Sequence, residues 1–351
     1  MEDFAIMARG QKFLPFHCEE EQHWSQPFYF IQAADTQFGM QEKYVEKQID
    51  YGWTKEISWT KEMIQEVNNM WPRPKFMVVC GDLLDAWPDT EEIIRDQQEI
   101  DFKEVFAELE IPLVCVCGNH DIGNQPTYKT VDKYRSSFGD DYFSFWCGGV
   151  FFIVLNTQYY EDSSMVPTIA AEQELWLEEQ LEIVRREKPK HAVVFQHIPY
   201  FLNNPQEDKE YFNFDLTQRQ EMLDRLHDAG IRYVFCGHYH RNAGGFYKDL
   251  EEVVTSAVGA QLGDEEQGYR IVKVLENRLE HRYYALGTAP KYIDLPSSGL
   301  SIFSELLEDS YNEYSLTIDS LQLQSDYHLR SWSTTARSPS PRFGRSSSLA
   351  L

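Results

Sequence analysis

The chain has 351 residues, of which 42% are hydrophobic and 14% aromatic, and its formal net charge is −25. A chain of this length buries a full core without disulfides or structural metals, and its negative charge works against broad affinity for nucleic acid, whose phosphates are repelled over most of the surface. The longest apolar run, Val150 to Leu155, is far too short to cross a bilayer, and Met1-Glu2-Asp3-Phe4 lacks the basic and apolar regions of a signal peptide, so a soluble cytoplasmic protein with neither a membrane nor a nucleic-acid partner is expected.

Residues 1–26 are polar and acidic and predict an irregular lead-in. Pro27 to Ile31 reads as an aromatic and β-branched strand that delivers Asp35-Thr36-Gln37 into a loop. An amphipathic helix is predicted over Trp53 to Trp71, with Ile57, Ile64, Val67 and Trp71 as its core stripe and Pro72 as its stop. Lys75 to Cys80 is the second buried strand, ending in Gly81-Asp82-Leu83-Leu84-Asp85. A helix capped by Asp89 and Glu92 then runs to about Glu110. The third strand, Leu113 to Cys117, ends in Gly118-Asn119-His120-Asp121. Short buried strands alternating with helices predict a mainly parallel sheet, whose functional groups collect beyond the strands' carboxyl ends.

From Asp141 a hairpin is predicted, with a Cys147-Gly148-Gly149 turn before Val150 to Leu155. A helix near Ala171 to Glu187 precedes the strand His191 to Phe195, which ends in Gln196-His197-Ile198-Pro199. Another helix, Thr217 to Ala229, stops at Gly230, and the strand Ile231 to Cys236 ends in Gly237-His238-Tyr239-His240. Strands near Val253 to Ala257, Tyr269 to Leu275 and Leu279 to Leu286 predict a meander. Four cysteines, Cys80, Cys115, Cys117 and Cys236, fall inside strand-like runs and read as reduced, buried thiols. Residues 27–290 are taken as the folded domain and 291–330 as an extension with room for one short helix. Residues 331–351, rich in Ser, Arg and Pro, are expected to be a solvated, disordered tail; around Arg337-Ser338-Pro339 and Arg345-Ser346 it offers sites for phosphorylation or a partner.

Taken singly, the polar residues at strand ends have plain explanations. Asp35 and Asp82 could be helix N-caps and His197 a hydrogen-bonded core histidine, while a His-x-His pair says nothing by itself about a metal. Together they require another account, because five separate strand ends each deliver oxygen or nitrogen donors. The ordered set resembles the calcineurin-like metallophosphoesterases, whose motifs are Asp-x-His, Gly-Asp-x-x-Asp, Gly-Asn-His-Asp/Glu, a lone His and Gly-His-x-His. The matching residues are Asp35 to Gln37, Gly81 to Asp85, Gly118 to Asp121, His197 and Gly237 to His240.

That resemblance implies an α/β four-layer αββα sandwich with two divalent metal ions. One ion would take Asp35, Gln37 and His240, the other Asn119, His197 and His238, and Asp82 would bridge them. It implies hydrolysis of phosphomonoesters by a hydroxide shared between the ions, with His120 protonating the leaving group and Asp121 or Asp85 holding its other ring nitrogen. A phosphoprotein carrying phosphoserine or phosphothreonine is the expected substrate. The alternatives are a phosphodiesterase acting on a small molecule or nucleotide, and a non-catalytic scaffold. Two divalent ions offset by Asp35, Asp82 and hydroxide leave about one positive charge in the pocket, so an acidic protein still attracts phosphate there.

Two positions depart from the family pattern. Gln37 stands where many relatives carry His, and its hard amide oxygen favours manganese, magnesium or iron over zinc, unless it only hydrogen-bonds a metal-bound water. In the relatives nearest calcineurin an Arg after Gly-Asp-x-x-Asp clamps the phosphate, whereas in this chain Ala86 and Trp87 follow, leaving Arg241 as the candidate clamp or as a structural ion-pair former. Trp87, Tyr159, Tyr160, Tyr200 and Phe201 lie near the motif loops and are candidates to line a groove, or else core lids.

Overall fold

A computed structural model describes residues 4–16 and 19–296. Two short strands, β1 (Ala8–Arg9) and β2 (Lys12–Phe13), precede β3 (Phe28–Ala33), α1 (Thr54–Asn68), β4 (Met77–Val79), α2 (Glu92–Phe106) and β5 (Leu113–Cys115). Next come α3 (Asn119–Ile122), α4 (Tyr128–Phe138), β6 (Phe143–Cys147), β7 (Val150–Val154), α5 (Gln158–Glu161), α6 (Pro167–Glu187), β8 (His191–Phe195) and α7 (Leu216–Ala229). The described chain closes with β9 (Tyr233–Cys236), β10 (Ala243–Tyr247), β11 (Leu250–Val254), β12 (Gly268–Val274) and β13 (Leu279–Ala285).

The strands form two sheets, one in the order β13-β12-β3-β4-β5 and one in the order β1-β2-β6-β7-β8-β9-β11-β10. Strand alternation builds the core between them. Phe28 and Phe30 of β3 face inward while Tyr29 and Ile31 face the helices. Phe30 stacks on Phe76 with ring centroids 4.9 Å apart and meets Phe152, Phe195 and Phe235 of the second sheet edge-on at 5.5 to 5.7 Å. The outer faces are covered by helices, with Met63 and Ile64 of α1 and Phe102 of α2 sharing a cluster with Tyr29 and Ile31, and Leu177 and Leu181 of α6 and Leu223 of α7 packed with Phe151 and Ile153. The four-layer αββα sandwich is thus the observed architecture.

β3, β4 and β5 run parallel, as do β7, β8 and β9. Parallel strands deliver their carboxyl ends to one edge, which is where the polar motifs collect.

Several expectations are corrected. The lead-in is not irregular throughout: β2 pairs with β6, and Phe13 is buried against Phe143 and Phe145. The helix expected to be capped at Asp89 starts at Glu92 after Glu91, with no side-chain cap, because Glu91 instead receives Trp87 N and Lys43 Nζ. Trp71 is 69% exposed, since α1 has already ended and the Trp71 backbone pairs with Lys291 and Ile293. The meander is divided between sheets: β11 runs parallel to β9, whereas β12 pairs with β3 and β13. β10 and α4 had no sequence-level counterpart. The helix anticipated after Pro290 and the tail lie outside the described residues. Among the described residues no helix is long and apolar enough to cross a membrane.

Candidate dinuclear metal centre

The motif loops are held in strained backbone. Asp35, Gln37, Asp82, His238 and His240 have φ of 52°, 35°, 51°, 70° and 51°, a region that L-residues avoid unless their surroundings impose it. Glycine supplies the close approaches between loops. A Cβ on Gly81 (φ 88°) would stand 2.2 Å from His197 Nδ1, and one on Gly118 would stand 2.2 Å from Asp82 Oδ1.

These loops bring together Asp35, Gln37, Asp82, Asn119, His197, His238 and His240, all buried. Asp82, His197 and His238 offer ligand atoms within 4.8 Å of one another, and Asp35, Asp82 and His240 form a second such group, so Asp82 belongs to both. Hydrogen bonding to backbone sets each imidazole. His197 Nδ1 donates to Cys80 O at 2.8 Å, His240 Nδ1 to Ala260 O at 2.5 Å and His238 Nε2 to Tyr211 O at 3.4 Å. Carbonyls only accept, so the opposite nitrogens turn their lone pairs to the cluster. There His197 Nε2 lies 3.1 Å from both His238 Nδ1 and Asn119 Oδ1, and 3.3 Å from Asp82. Electron pairs converging at this distance with two carboxylates favour a cation among them.

Gln37 bears directly on the fit. Its Nε2 donates to Asp85 Oδ1 at 3.3 Å, while its buried Oε1 has no hydrogen-bond partner. A buried amide oxygen left without a donor fits a metal ligand.

The buried charges answer one another, and the proton they hold on His197 is the one a cation would displace. Burial opposes a charge on Asp82, yet His197, and after it His120, hold its carboxyl below the ordinary range. Burial likewise disfavours a protonated His197, but Asp82 and then Asp35 raise it to about 9. His238 is depressed to about 3 by burial and then by His197, and burial takes His240 to about 4.

His120 stands apart from the ligands. It lines the same cavity, of about 270 Å³, and Trp87 stacks on its ring at 4.2 Å. Its Nδ1 donates to Asp85 O at 2.6 Å with the Asp85 carboxylate 3.7 Å away, which leaves Nε2 for the cavity. Asp121 does not hold this ring, contrary to one of the two expectations. Its carboxylate accepts from Gly118 N at 2.8 Å and Leu83 N at 3.1 Å and thereby ties two motif loops together; burial and then Asp82 raise it to about 6.

Arg241 is not placed as a clamp. It donates to Leu262 O, lies 4.8 Å over the Tyr239 ring and does not line the cavity. Of the aromatic candidates only Trp87 lines it, because Tyr159, Tyr200 and Phe201 are buried in the core.

Tyr44, Tyr211 and Phe212 also line the cavity, and sequence reasoning missed them. Tyr211 and Phe212 sit in an acidic loop without periodicity, so no pattern marked them. Arg95 was missed as well, although it carried a signal, being a cation in the apolar stripe of α2 with Gln98, Phe102 and Val105. It donates to the carbonyls of Ala86, His120 and Asp121 at 2.8 to 2.9 Å, clasping the second and third motif loops.

Two packed sheets whose strand ends carry two ligand groups sharing one carboxylate define the architecture of a dinuclear metallophosphoesterase. The family model described as calcineurin-like phosphoesterase matches residues 29–242, and the chain belongs to that family. The chain is 47% identical over 285 residues to serine/threonine-protein phosphatase CPPED1 of Homo sapiens, covering 80% of this chain and 90% of the relative. It is 44% identical over 290 residues to the protein of the same name in Danio rerio, covering 81% and 93%. Among solved structures, a dimetal phosphatase from Danio rerio aligns over 78% of this chain and 99% of its own at 13% identity and a TM-score of 0.57, a likeness of fold.

Proposed function

We propose that this protein hydrolyses phosphomonoesters, with phosphoserine and phosphothreonine in proteins as its substrates, and that it works in the cytoplasm. The single observation that carries the reading is the Asp82 carboxylate shared between two ligand groups. Asp35, Gln37, Asp82 and His240 would hold one divalent ion, and Asp82, Asn119, His197 and His238 the other. The bound pair would supply activated water and neutralise the phosphoryl oxygens. The amide oxygen of Gln37 favours manganese, magnesium or iron over zinc.

This chain's own part in the reaction centres on His120. The Asp85 carbonyl keeps a proton on Nδ1 and fixes the ring, so the proton that can be given up is the one on Nε2, facing the cavity. Trp87 covers one face of the ring and limits its exchange with solvent. His120 N also donates to Asp82 Oδ1 at 2.8 Å, so one hydrogen bond ties the loop of the acid to the shared ligand. The five cysteines among the described residues are free and buried, which supports a reducing compartment.

Nitrophenyl phosphate as monoester and as diester, assayed with added manganese beside phosphoserine and phosphothreonine peptides, tests the reading. Monoester and phosphopeptide turnover is expected, and preferential diester turnover would replace it with a phosphodiesterase.

A further inference from the structure

Of the described residues lining the cavity, none is a lysine or arginine. Arg241, the sequence's candidate for holding phosphate, spends its guanidinium on Leu262 O and the Tyr239 ring. A phosphoryl group there would still present oxygens that the metals and His120 do not cover, and a protein donor is needed for them.

Tyr211 meets that need. Its ring lies 5.3 Å from that of His238 and 5.1 Å from that of Phe212, and its own carbonyl accepts His238 Nε2. Yet the residue is 60% exposed, so core burial does not account for it. The hydrogen-bond sense at its hydroxyl decides what it can do. Asn119 turns Oδ1 toward His197, which leaves its Nδ2 to donate to Tyr211 Oη at 3.3 Å. The hydroxyl is the acceptor in that bond, so its own proton is not committed to it and can be directed into the cavity. Asn124 is the other amide beside this hydroxyl.

We propose that the Tyr211 hydroxyl donates to the phosphoryl oxygens, taking the part that an arginine clamp would play; this rests on the phosphatase reading above. A neutral donor gives direction without adding charge to the pocket.

The test is binding of inorganic phosphate to the manganese-loaded full chain, by titration calorimetry, for the natural protein and for Tyr211→Phe, with metal content measured on the same samples. Tyr211→Phe keeps the ring and the carbonyl that holds His238. The expected result is phosphate affinity weaker by about tenfold or more at unchanged metal content, since one hydrogen bond to a charged group is lost. Equal affinity in the two proteins overturns the role of Tyr211 and leaves the phosphatase reading standing. Weaker affinity that tracks lost metal and returns on adding manganese overturns it also, because Tyr211 would then serve only to position Asn119. Failure of the natural, fully loaded protein to bind phosphate at all would sink both.

Discussion

At the scale of single residues the proposed mechanism separates metal holding from proton transfer. Asp82 lies in both ligand groups, whereas His120 touches the cluster only through its backbone N–H. His120→Asn is therefore expected to keep its metals while monoester turnover falls by about a hundredfold or more; elemental analysis beside the assay checks it, and loss of metal would contradict a role for His120 as proton donor alone. Asp82→Asn keeps shape but removes the shared anion, and two divalent ions close together repel. Metal content in that variant should fall to one equivalent or less, and two retained equivalents would refute a shared ligand. The identities of both residues were legible in their motifs. Which of Asp85 and Asp121 holds His120 was not, because that depends on whether a carbonyl or a carboxylate reaches the ring first across two loops.

At the scale of elements, the loops are held by partners that motif reading does not show. Arg95 projects from α2 and is almost wholly buried, with its guanidinium on three carbonyls of the loops that carry Ala86, His120 and Asp121. Arg95→Met keeps the stem but leaves those acceptors unpaired. A loss of about 3 kcal/mol in denaturant unfolding is expected, together with reduced metal retention, since each buried group stripped of its partner costs about 1 to 3 kcal/mol. Full stability in Arg95→Met would show that the clasp is not needed. That a helix occupies the stretch of α2 was legible from Asp89 and Glu92, read as its capping pair. Its start was not, because Glu91 serves Lys43 and Trp87 instead of capping, a choice made by α2's neighbours and not by its own sequence.

At the scale of the whole molecule, stability and cofactor should separate. The aromatic core between the sheets does not depend on the site, so chelation is expected to leave a folded protein. Its melting temperature should nevertheless drop by several degrees, because ions that bind only the folded state stabilise it by mass action. Calorimetry with and without chelator checks this, and an unfolded apo-protein would show that the core is insufficient. A second dependence comes from Glu252, a buried residue of β11 that accepts Tyr200 N at 2.9 Å and Phe201 N at 2.7 Å and is raised by burial to about 8. A carboxyl with a raised folded pKa holds its proton in the folded chain after the unfolded chain has lost it. The stabilisation is complete below the ordinary value of 4.5 and is lost as pH rises through about 8. Glu252→Gln should flatten stability against pH across that window, as read from unfolding at a series of pH values; an unchanged slope would refute it.

The sequence by itself determined the strands that carry the motifs, because strand-end residues are set by short-range periodicity, while the αββα class and the proposed ligand set came through the resemblance of the ordered motifs to the calcineurin-like metallophosphoesterases. It did not determine that β11 joins β9 while β12 joins β3, since both pairings suit the same apolar alternation. Nor did it determine the use of Asp121, Arg241 and Tyr211. Those roles depend on which donor meets which acceptor between distant loops, and only the packing of the two sheets brings those loops within a hydrogen bond of each other.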